Sequence, residues 1–150
     1  MKLVGKPVVS GDVTGEALVS ARPISFLGGV EPSSGKVVDP NSDVKGEVVT
    51  GKVLIYPTGK GSTVGSYVIY AMKKMGTAPA AMLLKEADTV TIIGCVLAGI
   101  PLVHGFRDEL LTIRKGAIVR VNGGMVEVGE SRALVANPCG RCPMFAFTFR

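Results

Sequence analysis

The sequence predicts a single mixed α/β domain, with strands first, strand–helix units in the middle and a hairpin late. Three observations carry that prediction. The apolar block Val53-Leu54-Ile55 does not alternate, as in a strand buried on both faces of an α/β sheet. After Ser62, apolar residues fall at Val64, Tyr67, Val68, Ala71, Met72 and Met75, the spacing of one helix face. From Ala117 to Val128 the chain alternates around Asn122-Gly123-Gly124, a hairpin signature. The 150 residues fit one domain, expected over 1–136, with 137–150 a C-terminal tail that follows no period. Apolar residues make up 47% and aromatics 5%, so the core has to be built from Val, Ile, Leu, Ala and Met.

Taken in order, residues 1–20 read as strands around Gly11 and Gly15, with Pro7-Val8-Val9 and then Glu16 to Val19. Residues 22–36, rich in Gly, Pro and Ser, read as an irregular loop, and a loop of that length in a compact domain is usually functional. Residues 46–56 read as one or two strands. The helix after Ser62 is expected to end at Gly76, with Lys73 and Lys74 in its last turn. Residues 79–85 form the next strand. Asp88 or Thr89 caps a second helix that ends near Gly99, and Ile100 to Val103 is a short strand with Pro101 near its start.

Composition narrows the function classes. The 20 glycines follow no fixed period, which excludes collagen and solenoids. Net charge is +5, from 17 basic and 12 acidic residues. The basic residues are scattered and have no aromatic stripe beside them, so no nucleic-acid partner is expected; an anionic small-molecule substrate suits the charge. No apolar run approaches the roughly 18 residues of a membrane span. The N-terminal MKLVGKPVVSG is broken by Gly5, Lys6 and Pro7, unlike a signal peptide. A cytoplasmic protein with reduced thiols is the expectation.

The chemistry concentrates in Gly59-Lys60-Gly61-Ser62, a Gly-rich loop that leads from a strand into a helix. Unpaired N–H groups and the helix dipole at such a point favour an anion. Ser62 has two readings there. One is a cap, its oxygen accepting from an N–H two or three residues on. The other is a base whose alkoxide is held by the first-turn N–H groups, with Lys60 beside it. The phosphate-binding GxxxxGK[ST] is absent, because Gly61 follows Lys60. The dinucleotide GxGxxG is absent too, because Val64 stands where its last Gly belongs.

Five segments in this order and spacing resemble one family: Ser25-Phe26-Leu27-Gly28-Gly29, Gly51 to Leu54, Pro57 to Ser62, Gly76 to Ala81 and Gly99-Ile100-Pro101. Over about residues 5–128 the chain is similar to the small, swivelling subunit of the aconitase X group. Lys60 stands where Arg is also usual in that group. The resemblance implies an α/β fold, the swivelling β/β/α domain of aconitases. It implies a large catalytic subunit as partner, in a heterodimer or higher assembly, holding an iron–sulfur cluster through three cysteines of its own. The implied activity is that of a hydro-lyase converting mevalonate 5-phosphate to trans-anhydromevalonate 5-phosphate in isoprenoid biosynthesis. Ser62 is then the proton acceptor, with Lys60, Gly61, Thr63, Ser25, Gly28 and Gly29 around the substrate. Dehydration of hydroxyproline by the same family remains an alternative.

Other features weigh less. Cys139 and Cys142 make one CxxC, half of a zinc site without its second half. Cys95 raises the thiol count to three, yet it lies in the apolar run Ile92 to Leu97, where an inert buried thiol is the ordinary outcome. No metal site and no cofactor are therefore expected in this chain. The loops 25–30 and 59–63 are expected to meet the partner, with 77–80 flanking them, and the Thr77–Ala81 segment to line the cleft. A non-catalytic swivel module, such as a phosphohistidine carrier, shares the architecture. It needs its histidine in a Gly/Ser-rich loop that opens a helix, whereas the only histidine, His104, follows a predicted strand.

Overall fold

The protein is described here by a computed structural model over residues 1–131. The predicted tail, 137–150, with Cys139 and Cys142, and the boundary at 136 lie outside the described residues. Three strands open the chain: β1 (Lys2–Val4), β2 (Lys6–Val9) and β3 (Asp12–Val19). A short hairpin follows, β4 (Val30–Glu31) and β5 (Lys36–Val37). Two strand–helix units come next, β6 (Val53–Tyr56) with α1 (Gly65–Met75), and β7 (Ala81–Leu84) with α2 (Thr89–Ala98). Then come β8 (Leu102–His104), a 3-10 helix over Asp108–Thr112, β9 (Ala117–Asn122) and β10 (Met125–Ser131).

Eight strands join in the order β1-β10-β9-β3-β6-β7-β8-β2. β3 links two kinds of pairing. Its first half, Asp12 to Glu16, runs antiparallel to β9; its second, Ala17 to Val19, runs parallel to β6. β6, β7 and β8 continue in parallel, as helical crossovers require. β1 and β2 sit at opposite ends of the order although only Gly5 separates them, so the sheet curls until its edges meet there. The Gly5 N–H donates to Gly124 O at 2.8 Å, and a Cβ on Gly5 would stand 2.6 Å from His104 O. Only a residue without a side chain fits that crossing.

The central parallel strands are buried on both faces and sort their side chains by parity. Leu54 and Tyr56 of β6, Met82 and Leu84 of β7 and Leu102 of β8 pack with Ile69 and Met72 of α1 and Cys95 of α2. Val53, Ile55, Ala81, Leu83 and Val103 pack on the other side with Val119, Val121 and Val126 of the antiparallel strands. The result is antiparallel strands, parallel strands and helices in three layers, the predicted β/β/α arrangement.

Several local expectations need correcting. Part of the predicted loop 22–36 is the β4–β5 hairpin. Residues 46–56, by contrast, hold one strand, β6, within the expected one or two; Val48 makes a single bridge to Lys36, and the segment otherwise turns. The buried face of α1 is rotated from the apolar stripe. Gly65, Ser66, Ile69 and Met72 are buried, whereas Val64, Tyr67 and Met75 are exposed. The cause is the approach of α2: Gly94 lies against Ile69, and the Ser66 hydroxyl donates to Val90 O at 3.0 Å. Small residues let the helices come close, and that contact outranks the hydrophobic period. Gly76 ends α1 in the left-handed conformation, φ 77°, as predicted.

Candidate active site

β3 and β6 are parallel neighbours, so the segments that follow them leave from the same end of the sheet. The first carries Ser25, Gly28 and Gly29, the second Lys60, Gly61, Ser62 and Thr63. They are laced together where Ile24 bridges Gly59: the Ile24 N–H donates to Thr58 O at 3.2 Å and the Lys60 N–H to Ile24 O at 3.0 Å. The Ser25 hydroxyl donates to Leu27 O at 3.1 Å and packs on Gly61. A Cβ at Gly61 would lie 2.6 Å from that hydroxyl, and Gly61 has φ +98°, a conformation that suits glycine. Gly28 also has positive φ, 79°, with open space around it, whereas Gly29 is buried. The carbonyl of Gly29 accepts the N–H groups of Val38 and Asp39.

Ser62 precedes α1, whose first residue is Gly65. Its hydroxyl oxygen accepts from the Val64 N–H at 3.2 Å, a local turn that leaves α1 without a side-chain cap. The first-turn N–H groups are not free, contrary to expectation. Those of Gly65, Ser66 and Tyr67 donate to the carbonyls of Ser62, Thr63 and Val64 at 2.9, 3.1 and 3.0 Å. The open donors lie one step earlier. Among the described residues, the N–H groups of Gly61, Ser62 and Thr63 donate to no protein acceptor, and all three residues are exposed. Successive free N–H groups are donors available to an anion independently of a helix end.

Two carboxylates shape this loop from outside it. Asp39 places its Oδ2 4.0 Å from Lys60 Nζ, with Lys60 half exposed. Asp88 is the N-cap of α2 and accepts from the Thr91 N–H at 3.0 Å. Its Oδ1 also accepts from the Gly59 N–H at 2.8 Å. The buried Tyr56 hydroxyl stands 3.1 Å from Thr91 Oγ1. Burial, then the neighbouring Cys95 and the Asp88 charge, push its ionisation well above the ordinary range, so it remains a donor.

Neither carboxylate was recognisable as part of the site, because each reaches the loop across a fold contact and neither belongs to a motif. Segment 77–81 falls elsewhere. It precedes β7 and is tied to the opposite end of the sheet: the Thr77 hydroxyl donates to Pro32 O at 2.6 Å and the Ala80 N–H to Lys52 O at 2.8 Å. It does not flank the Ser62 loop. His104 sits in β8 opposite Lys6 of β2, in a strand rather than a helix-opening loop. Cys95 is buried beside Met82 Sδ, and burial followed by the Asp88 charge pushes its thiol up to about 12. Among the described residues no group of His, Cys, Asp and Glu is arranged to hold a metal, and no helix is long and apolar enough to cross a membrane.

The model of the aconitase X swivel domain matches residues 2–128. The chain belongs to the aconitase X family. Within that family it is similar to the phosphomevalonate dehydratase small subunit of Pyrococcus furiosus, 51% identical over 85% of this chain and 94% of that one. The corresponding subunit of Thermococcus onnurineus is also 51% identical, over 87% of this chain and all of its own. The crystal structure of Thermococcus kodakaraensis aconitase X in its holo form superposes with a TM-score of 0.82, at 46% identity, over 85% of this chain and 98% of that one. An aconitase X swivel domain thus accounts for the three-layer fold, and relatives named small subunits imply a larger one.

Proposed function

We propose that this chain is the small subunit of a dehydratase that converts mevalonate 5-phosphate to trans-anhydromevalonate 5-phosphate, with Ser62 as the proton acceptor. The observation that carries the reading is the exposed loop Lys60 to Thr63. It holds two hydroxyls, one ammonium and three unused N–H groups within four consecutive residues, in a chain 51% identical to phosphomevalonate dehydratase small subunits.

Dehydrating a 3-hydroxy acid needs a base for the proton beside the carboxylate and an acid for the departing hydroxyl. Ser62 Oγ takes the proton. A serine alkoxide is unstable in water, and the N–H groups around it with the Lys60 charge lower its cost. Gly61 and Thr63 offer N–H donors to the substrate's anionic groups. Ser25, Gly28 and Gly29 form the adjoining wall. The described residues offer no ligand set for a Lewis acid, and the relation to aconitases suggests an iron–sulfur cluster in the larger subunit, where it would polarise the departing hydroxyl. Leu27, Val64 and Tyr67 expose apolar surface beside the loop, which suits contact with that subunit.

The test is reconstitution with the aconitase X large subunit of the same source, assayed with mevalonate 5-phosphate and with hydroxyproline. Dehydration of the phosphate ester, dependent on both chains, is expected. Turnover of hydroxyproline alone would overturn the substrate, and full turnover by the large subunit alone would overturn the role of this chain.

A further inference from the structure

Asp88 does more than a cap requires. Capping α2 occupies one carboxylate oxygen, Oδ2, on the Thr91 N–H. The other oxygen accepts twice, from the Gly59 N–H at 2.8 Å and from the Thr91 hydroxyl at 2.7 Å. We propose that Asp88 is a positioning residue for the Ser62 loop, tying the Gly59 peptide to the first turn of α2 and so fixing where Ser62 and the free N–H groups stand. The proposal rests on the reading of Ser62 given above.

Gly59 supplies the steric side of the argument. Its φ lies outside the left-handed region, so its backbone conformation does not call for glycine. What calls for glycine is the carboxylate: a Cβ there would stand 2.5 and 2.6 Å from the two oxygens of Asp88. The peptide is held on its other side as well, through Lys60 N–H to Ile24 O and Ile24 N–H to Thr58 O. The carboxylate is itself oriented through Thr91, whose hydroxyl oxygen lies 3.1 Å from the hydroxyl of Tyr56, the last residue of β6. Strand β6, its outgoing loop and the start of α2 are thus locked in one register. Without the tether the Gly59 N–H faces no acceptor, and the loop can pivot at Gly59 and Gly61, one on either side of Lys60.

Asp88→Ser separates the two jobs, because serine caps a helix as well as aspartate but is too short to hold Gly59 and Thr91 together. Gly59→Ala attacks the same contact from the other side. In the full chain, followed by amide exchange, Asp88→Ser is expected to speed exchange at Gly59 at least tenfold while the α2 amides keep their protection. In the complex with the large subunit, both variants are expected to lower kcat about tenfold to a hundredfold, the scale for misplaced reacting groups, with KM changing much less. In a Ser62→Ala background, Asp88→Ser should lower kcat no further. Unchanged exchange at Gly59 in Asp88→Ser would overturn the tether whatever Ser62 does. Multiplying effects of Asp88→Ser and Ser62→Ala on kcat would reduce Asp88 to a general stabilising role. A Ser62→Ala enzyme that keeps its turnover would instead sink the reading of Ser62, leaving the exchange result to judge the tether.

Discussion

Ser62→Ala separates catalysis from folding because the fold asks so little of this side chain. Among the described residues, its one side-chain hydrogen bond is that from the Val64 N–H, 3.2 Å long and solvent-exposed. A typical net hydrogen bond contributes about 1 kcal/mol, and an exposed one at this length about half of that. For a domain of this size the melting temperature should then fall by only about 1–2 °C. Losing a general base costs about a hundredfold or more in rate, about 2.7 kcal/mol of barrier. KM should move little, since Lys60 and the N–H groups of Gly61, residue 62 and Thr63 remain. The assay is steady-state dehydration by the reconstituted complex, with melting measured on the same preparations. A variant that melts several degrees lower yet keeps most of its turnover would refute the reasoning and return Ser62 to a structural role.

Four further outcomes follow from named contacts. Gly61→Ala should lower stability by about 1–2 kcal/mol, because φ +98° is costly for alanine; calorimetry should show Ser25→Ala recovering only the part due to the clash with the Ser25 hydroxyl. Lys60→Ala should leave the melting temperature almost unchanged, its pair with Asp39 being long and its own ammonium half exposed, while raising KM about tenfold through loss of a charge-assisted contact to an anion. At Asp43, burial alone would raise the pKa, but hydrogen bonds from the Ser20 hydroxyl and the Ala21 N–H, with the Arg22 charge, outweigh it and hold the carboxyl below its ordinary 3.8. Its stabilisation is therefore complete above that pH and is lost as pH falls through the folded-state value, so the melting difference from Asp43→Asn should shrink toward zero in acid. Finally, in a Cys139→Ser/Cys142→Ser background, Cys95 should resist alkylation at neutral pH until the chain unfolds, since burial holds its thiol at about 12.

How far the sequence could be read depended on how local each determinant is. The unalternating block at Val53 to Ile55, the Gly76 and Gly99 helix ends and the hairpin at Gly123-Gly124 are set by neighbours in the chain, and they appear where expected. The buried face of α1 was not legible, because it depends on Gly94 of α2 meeting Ile69. The curling of the sheet was not legible either, since it requires two edges to meet at Gly5. In the site, Ser62, Lys60 and Gly61 stand together because they are consecutive. Asp88, 29 residues from Gly59, was legible only as a cap, and its second oxygen became meaningful once the fold brought Gly59 to it.

The exposure of the loop also constrains how such a site can work. Lys60, Gly61, Ser62 and Thr63 all face solvent in this chain. Two unit charges 4 Å apart interact by about 1 kcal/mol in water and about 4 kcal/mol at an effective dielectric near 20. In the isolated chain, therefore, neither Lys60 nor the free N–H groups can do much to ionise a serine. Covering the loop with a second protein surface strengthens each of those interactions at once and leaves the geometry unchanged. If Ser62 is the base as proposed, a domain that carries it on an exposed loop is suited to being inactive alone and competent when closed. On the proposed reading, activation would come from the larger subunit excluding water, and this chain would contribute preorganisation: a hydroxyl and donors held through Ile24 on one side and Asp88 on the other before the substrate is enclosed.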